Sequence, residues 1–195
     1  MPPHEMRDIV VLLPGITGSV LKKNGKVVWG FSGGTIADTL LTRGGSLRDA
    51  LALTGDSPDR EDLGDGIVAD SLAPDLHLIP GLWKIDGYSR VADTILERFA
   101  VREGENFFRF PYDWRRDNRA AAQRLAHQSA EWLRRRRTTV PDAKLILVAH
   151  SMGGLVSRYF LEVLGGWRNT RALVTFGTPY RGAINALDTL ANGSR

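Results

Sequence analysis

Apolar residues along the chain occur in short runs that glycine, proline and polar residues interrupt. Residues 8–13 form a β-branched run that stops at Pro14-Gly15, which is typical of a strand buried on both faces of a parallel sheet. Residues 144–149 form a second run of this kind, and residues 106–110 and 171–176 are further candidates. The pattern therefore predicts four core strands, with turns at their ends.

Helical periodicity fills the intervals between these strands. Residues 88–100 and 117–137 carry apolar residues three and four positions apart, and residues 152–164 follow the same pattern. Asp117 begins the second helix and arginines end it, which matches the helix dipole. Strands that alternate with helices of this length indicate βαβ units, so we expect an α/β fold, with a mostly parallel sheet covered by helices on both faces.

The segment between the first strand and the first helix is less regular. Asn24-Gly25 lies between two short extended pieces and predicts a two-residue hairpin turn. Residues 34–54 suggest two short helices, and the acidic residues 56–66 are interpreted as a solvated loop. We expect one α/β domain over residues 1–195, with residues 56–88 as a candidate lid or cap.

Composition narrows the class of protein. Of the 195 residues, 43% are hydrophobic and 25% are charged, as expected for one globular domain. The chain contains no cysteine, which excludes disulfides and thiolate metal sites. The apolar runs are far shorter than the roughly 20 residues of a membrane span, and the N-terminus lacks a secretory pattern, so we expect a cytoplasmic protein. The net charge of +4 comes from interspersed charges, which favours solubility over a nucleic-acid partner.

Ser151 lies at the junction between a predicted strand and a predicted helix. Ala149 stands two positions before it and Gly153 two positions after it. A small-x-Ser-x-small pattern in this context is typical of a nucleophile elbow, where strand and helix approach so closely that the flanking side chains must be small. We therefore interpret Ser151 as a catalytic nucleophile. The adjacent His150 projects in another direction, so we assign it a packing or hydrogen-bonding role.

The turn after the first strand supplies a second part of the predicted site. Residues 14–19 read Pro-Gly-Ile-Thr-Gly-Ser, and this turn can present the backbone N–H of Ile16 toward Ser151. The N–H of Met152, at the helix N-terminus, is the second predicted donor of an oxyanion hole. A phosphate-binding loop is excluded because neither of its glycine-rich patterns is present. Chemistry of this kind requires no metal or cofactor.

Four blocks occur together in the chain: residues 14–21, 111–115, 149–154 and 177–183. In this order they resemble the lecithin:cholesterol acyltransferase family of α/β-hydrolases, which includes lysosomal phospholipase A2-like and bacterial members. The resemblance implies that Ser151 accepts an acyl group and that the amides of Ile16 and Met152 bind the oxyanion. It also implies an acyl-ester substrate, often a lipid, whose acyl group passes to water or an alcohol. Residues 113–115 match a family block whose role, direct or structural, stays open.

Two features depart from the family pattern. An acid and then a histidine follow the nucleophile in this fold, but no histidine follows Ser151, and Asp188 is the one acid beyond the last predicted strand. The sheet would also lack its last strands, so we expect an N-terminal portion of a longer hydrolase that is weak or inactive alone. The alternative is a non-catalytic module that binds a lipid surface or a partner, with transient membrane contact.

Overall fold

The computed structural model describes residues 2–30, 49, 51–53, 55–73 and 88–192. Most of the predicted helical region 34–54 and the part of the candidate lid from 74 to 87 lie outside the described residues.

The described strands and helices follow the predicted alternation over most of the chain. In chain order they are β1 (Ile9–Leu13), β2 (Ser19–Lys23), β3 (Lys26–Trp29), β4 (Ile67–Leu72), α1 (Tyr88–Arg98), β5 (Phe107–Arg109), α2 (Asn118–Arg136), β6 (Leu145–His150), α3 (Met152–Glu162), a short 3₁₀ helix (Gly166–Asn169), β7 (Thr170–Phe176) and α4 (Ile184–Asn192).

The main sheet has four strands in the order β5-β1-β6-β7, and every neighbouring pair is parallel. β1 is central, and its Val11 pairs with Phe108 on one side and Leu147 on the other. Parallel strands end at one edge of a sheet, so the turns after β1 and β6 lie beside each other. This arrangement brings residues 14–19 next to Ser151.

Both faces of the main sheet are covered by helices, which confirms the predicted fold class. All five residues of β1 are buried. Ile9, Val11 and Leu13 pack in one core with residues of α2 and α3, whereas Val10 and Leu12 pack with residues of α1 on the opposite face. A strand with two buried faces needs a continuous apolar sequence, which explains why β1 does not alternate.

A second sheet of three antiparallel strands has the order β3-β2-β4. Its β2–β3 turn is the predicted hairpin, and Asn24 and Gly25 adopt φ values of 48° and 81° there. Strand β4, which begins inside the candidate lid, was not predicted from the pattern. A register shift in its pairing with β2, opposite Val20 and Leu21, accompanies a burial pattern that does not alternate regularly.

The acidic loop 56–66 is irregular, as predicted, but the prediction of a solvated loop is incomplete. Asp65 and Asp113 both accept hydrogen bonds from the guanidinium of Arg115, at 2.8 and 2.6 Å, and that side chain is only 4% exposed. Asp56 pairs with Arg116 at 3.1 Å. These ion pairs tie the loop to the segment before α2, which gives residues 113–115 a structural role.

Within the part of the chain that the structure describes, no helix combines the length and apolar character needed to cross a bilayer. The same described residues contain no cluster of three or more histidine or acidic side chains arranged to hold a metal ion.

Candidate active site

Ser151 occupies the sharp turn between β6 and α3. Its backbone has φ 50° and ψ −119°, a region that costs a non-glycine residue about 1–3 kcal/mol and persists where the surrounding structure imposes it. Its N–H donates to the carbonyl oxygen of Phe176 at 2.8 Å, which ties the turn to the end of β7. The Ser151 hydroxyl makes no hydrogen bond to another described residue, so its oxygen is free to approach a substrate.

Small residues at the elbow are required by close backbone contacts. A Cβ atom on Gly153 would lie 2.5 Å from the Pro14 carbonyl oxygen, and one on Gly154 would lie 2.1 Å from Oγ1 of Thr178. Ala149 is completely buried. Both distances are too short for real contacts, so the turn after β1 and the turn after β7 pack directly on the start of α3. The structure therefore explains the small-x-Ser-x-small pattern.

The turn after β1 passes against Ser151. A Cβ atom on Gly15 would lie 2.9 Å from the Ser151 Cβ and 3.0 Å from Nδ1 of His150. Ile16 follows Gly15, and its side chain is exposed. Thr17 adopts a φ of 62°, and the Gly18 N–H donates to the Gly15 carbonyl oxygen at 3.1 Å, which closes the turn. The turn that carries Ile16 therefore lies beside Ser151, which Met152 follows directly in the chain.

Two backbone amides at this position have no hydrogen-bond partner among the residues that the structure describes. Neither the N–H of Ile16 nor that of Met152 donates a hydrogen bond to another described residue. Met152 is the first residue of α3, where the first amides of a helix have no partner inside the helix and the helix dipole is positive. Such a pair can bind a negatively charged oxygen. Their assignment to an oxyanion hole stays a prediction.

Sequence reasoning missed the side chains that hold the turn after β1 in place. Four aromatic side chains hydrogen-bond to its backbone: Tyr88 Oη accepts from Gly15 N–H (2.7 Å), Tyr112 Oη donates to Pro14 O (2.8 Å), Trp29 Nε1 donates to Thr17 O (2.9 Å) and Trp114 Nε1 donates to Ser19 O (3.2 Å). The only signal in the sequence was that Tyr112 and Trp114 belong to a recognised block.

His150 has the hydrogen-bonding role that the sequence predicted. Its Nδ1 lies 2.8 Å from the hydroxyl oxygen of Tyr88. Burial lowers the pKa of His150 below its ordinary value, which favours a neutral imidazole. Burial also raises the pKa of Tyr88 to about 12, so the phenol keeps its proton at neutral pH. The pair therefore joins two neutral groups beside Ser151.

The described residues do not place a catalytic acid or base at the Ser151 hydroxyl. His4 packs against the Phe99 ring, with centroids 5.9 Å apart, and His127 is exposed on α2. His77 lies outside the described residues. Asp188 is exposed on α4 and accepts a hydrogen bond from Asn192 at 2.7 Å. Asp188 therefore has a local partner on its own helix.

Comparison with known proteins shows the family to which the chain belongs. A family model described as lecithin:cholesterol acyltransferase matches residues 82–195, which contain Ser151 and both tyrosines beside the turn. The chain belongs to the lecithin:cholesterol acyltransferase family. The family match begins after the turn that contains Ile16, so that part of the site rests on the structure.

Two relatives in this family have similar sequences. The chain is 30% identical over 122 residues to the human lysosomal phospholipase A and acyltransferase, and 34% identical over 122 residues to the dog protein of the same name. Each alignment covers 60% of this chain, but only 28% of the human protein and 29% of the dog protein. The chain therefore spans less than a third of the length of these relatives.

Proposed function

We propose that this chain carries the nucleophile and the oxyanion hole of a lipid O-acyltransferase or lipid ester hydrolase. The observation that carries the proposal is Ser151 in a strained strand-to-helix turn. The amides of Ile16 and Met152 lie in the adjacent turn and at the helix start, and they have no partner among the described residues. Membership of the lecithin:cholesterol acyltransferase family, and relatives that are named phospholipase A and acyltransferase, support an acyl ester as the substrate class.

The proposed reaction has two steps. The Ser151 oxygen attacks the ester carbonyl carbon while its proton passes to a general base, and the carbonyl oxygen becomes an anion that accepts hydrogen bonds from Ile16 and Met152. The ester C–O bond then breaks, and the alcohol leaves with a proton. Water or an acceptor alcohol attacks the resulting acyl-enzyme, loses a proton and releases the acyl product, which restores Ser151.

The rate of the proposed reaction depends on a general base that takes the Ser151 proton. The Nδ1 atom of His150 is already engaged with Tyr88, and no other described histidine contacts Ser151. Loss of a triad member leaves only the residual catalysis of substrate binding and the oxyanion hole, about 10³–10⁴-fold over water. We therefore expect both turnover and the attack of Ser151 on an inhibitor to be slow. A single covalent step is the sharper assay, because its product accumulates during a long incubation.

The first experiment measures that covalent step. An alkyl fluorophosphonate is incubated with the full chain; attack by the Ser151 oxygen forms an O–P bond and releases fluoride and a proton. We expect one adduct by intact mass, located on Ser151 by peptide mapping, and no adduct in Ser151→Ala. Ser71→Ala, on the exposed side of β4, is the matched control. An unlabelled wild-type chain, or equal labelling of Ser151→Ala, would contradict the proposal.

Binding to a lipid surface without chemistry is the second candidate function. It is favoured by large apolar side chains that are exposed in and next to the edge strand β7. Trp167, before the strand, is 59% exposed, Phe176, at its end, is 54% exposed, and Ile184, after it, is 85% exposed. Vesicles of phosphatidylcholine with and without an anionic lipid test this function by co-sedimentation. Salt-sensitive binding together with an unreactive Ser151 would favour the binding module over the enzyme.

A further inference from the structure

One peptide group in the turn after β1 is held at both ends by tyrosine hydroxyls. Its carbonyl oxygen, on Pro14, accepts a hydrogen bond from Tyr112 Oη at 2.8 Å. Its N–H, on Gly15, donates to Tyr88 Oη at 2.7 Å. Because the peptide group is planar, a rotation that moves the carbonyl also moves the N–H. The Pro14–Gly15 peptide therefore cannot turn without breaking both hydrogen bonds.

The two tyrosines reach this peptide from opposite faces of the main sheet. Tyr88 is the first residue of α1 and packs in the core that contains Val10 and Leu12. Tyr112 follows β5 and packs in the core on the other face, and its side chain is completely buried. Each ring is fixed by the core in which it packs, so the two hydroxyls are held independently of each other. Together they hydrogen-bond to the two ends of the Pro14–Gly15 peptide.

The next peptide, Gly15–Ile16, carries the candidate oxyanion donor. Its carbonyl oxygen accepts the 3.1 Å hydrogen bond from the Gly18 N–H inside the turn. In a trans peptide the N–H points opposite to the carbonyl, so the Ile16 N–H faces away from the turn's interior. Gly15 lies against Ser151, where even a Cβ atom would be only 2.9 Å from the Ser151 Cβ. With both peptides fixed, the direction of the Ile16 N–H is fixed too.

We propose that Tyr88 and Tyr112 are positioning residues that hold the Ile16 N–H in place for the oxyanion, and that His150 holds Tyr88 by accepting a hydrogen bond from its hydroxyl group. This inference rests on the proposed function, since it assigns how the oxyanion hole of that reaction is built. Neither tyrosine touches the reacting atoms. Their effect passes through the backbone of Pro14 and Gly15.

The hydrogen bonds around Tyr88 define the part that His150 plays. The Tyr88 oxygen accepts from Gly15, so its own proton is available to Nδ1 of His150 at 2.8 Å. His150 is then neutral, with its proton on Nε2, which agrees with the downward effect of burial on the pKa of His150. In this arrangement His150 needs only an acceptor atom, and it does not take the proton of Ser151.

The first test compares three tyrosine-to-phenylalanine variants of the full chain. Tyr88→Phe and Tyr112→Phe each remove one hydroxyl, and Tyr159→Phe, on α3, is the matched control, since the Tyr159 hydroxyl has no hydrogen-bond partner among the described residues. We measure the rate constant for alkyl fluorophosphonate labelling of Ser151 separately from the reversible binding constant. Loss of an oxyanion donor costs about 10²–10³-fold, so a misdirected donor should slow labelling about tenfold to a hundredfold without weaker binding.

The second test separates an acceptor role of His150 from a role as general base. Asparagine places an oxygen near the position of Nδ1, whereas leucine has the same shape and no acceptor. We expect His150→Asn to label Ser151 at close to the wild-type rate and His150→Leu to slow down as Tyr88→Phe does. Equal losses in both variants would identify His150 as a base and overturn the inference about it. This pair keeps the test decisive if a tyrosine variant fails to fold.

The third measurement is independent of the chemistry at Ser151. Hydrogen exchange and the NMR chemical shift of the Ile16 amide report its environment directly, and both should change in Tyr88→Phe and Tyr112→Phe but not in Tyr159→Phe. An unchanged Ile16 amide in both variants would refute the inference whatever Ser151 does. If the wild type is labelled and both variants keep its rate, the inference fails and the proposed function stands. If the wild type is not labelled, the proposed function fails and the amide measurement still decides whether the tyrosines hold the turn.

Discussion

Gly153→Ala tests whether the elbow requires a small residue because of the backbone contact seen in the structure. Alanine is normally favoured over glycine inside a helix by about 1 kcal/mol, and Gly153 is the second residue of α3. Helix propensity alone therefore predicts a more stable protein. The added Cβ atom, however, would lie 2.5 Å from the Pro14 carbonyl oxygen and 3.0 Å from that of Leu13.

The contact is expected to outweigh the propensity. Both neighbours are backbone atoms at the end of β1 and cannot rotate away as a side chain would, so α3 and the turn must separate. Overpacking of this kind costs about 1–3 kcal/mol, which leaves a net destabilisation of up to about 2 kcal/mol after the gain in helix propensity. A displacement of about 1 Å at the site should slow the covalent step at Ser151 about a hundredfold.

Urea denaturation and fluorophosphonate labelling of Ser151 measure the two effects. Gly104→Ala is the control: it has a φ of 80° and nothing within 4 Å of the added Cβ, so it tests backbone strain remote from the elbow. It should lose about 1 kcal/mol of stability and label Ser151 at the wild-type rate. A Gly153→Ala protein that gains the full helix propensity and labels normally would show that the Pro14 carbonyl does not lie against α3.

Four other substitutions test the ionisable groups of the fold. Burial alone would raise the pKa of Asp8, but hydrogen bonds from Arg171 and from the Lys144 amide hold this pKa below its ordinary value. The wild type should therefore lose stability as the pH falls below about 4 and through the pKa of folded Asp8. Urea denaturation should show a smaller loss in Asp8→Asn over the same pH range. Arg115→Lys keeps the positive charge but cannot pair with Asp65 and Asp113 at the same time as the planar guanidinium does, so we expect the free energy of unfolding in urea to fall by about 2 kcal/mol or more. Arg119→Lys, in an exposed ion pair, is the control and should leave the free energy of unfolding unchanged. Burial lowers the pKa of His150 in the folded protein below 6.5. Between this lowered pKa and 6.5 the unfolded chain binds more protons than the folded chain, so wild-type stability should decline as the pH falls from 6.5. Thermal unfolding of His150→Asn should not show this decline, and an unchanged dependence of stability on pH would contradict a buried neutral imidazole.

The central features of the fold could be predicted because they are local in sequence. β1 is buried on both faces, so its sequence is continuously apolar. The residues of β6 are alternately buried and half-buried, and its sequence is apolar as far as Ala149, so the two strands together indicate a parallel sheet. The hairpin depends on two adjacent residues, Asn24 and Gly25, whose φ values are positive. The elbow depends on five consecutive residues around Ser151, where steric requirements act directly on residue size.

The surroundings of the site were decided by tertiary structure. Tyr88 and Tyr112 reach the turn after β1 across 73 and 98 residues of sequence, and Arg115 joins Asp65 across 50 residues. Hydrophobic periodicity indicates which face of a helix is buried, but it does not specify which distant backbone group a buried hydroxyl will meet. The sequence by itself determined the sheet and the position of Ser151 in a strand-to-helix turn. The surroundings of the Ile16 amide follow from long-range packing, which places two tyrosine hydroxyls on the neighbouring peptide.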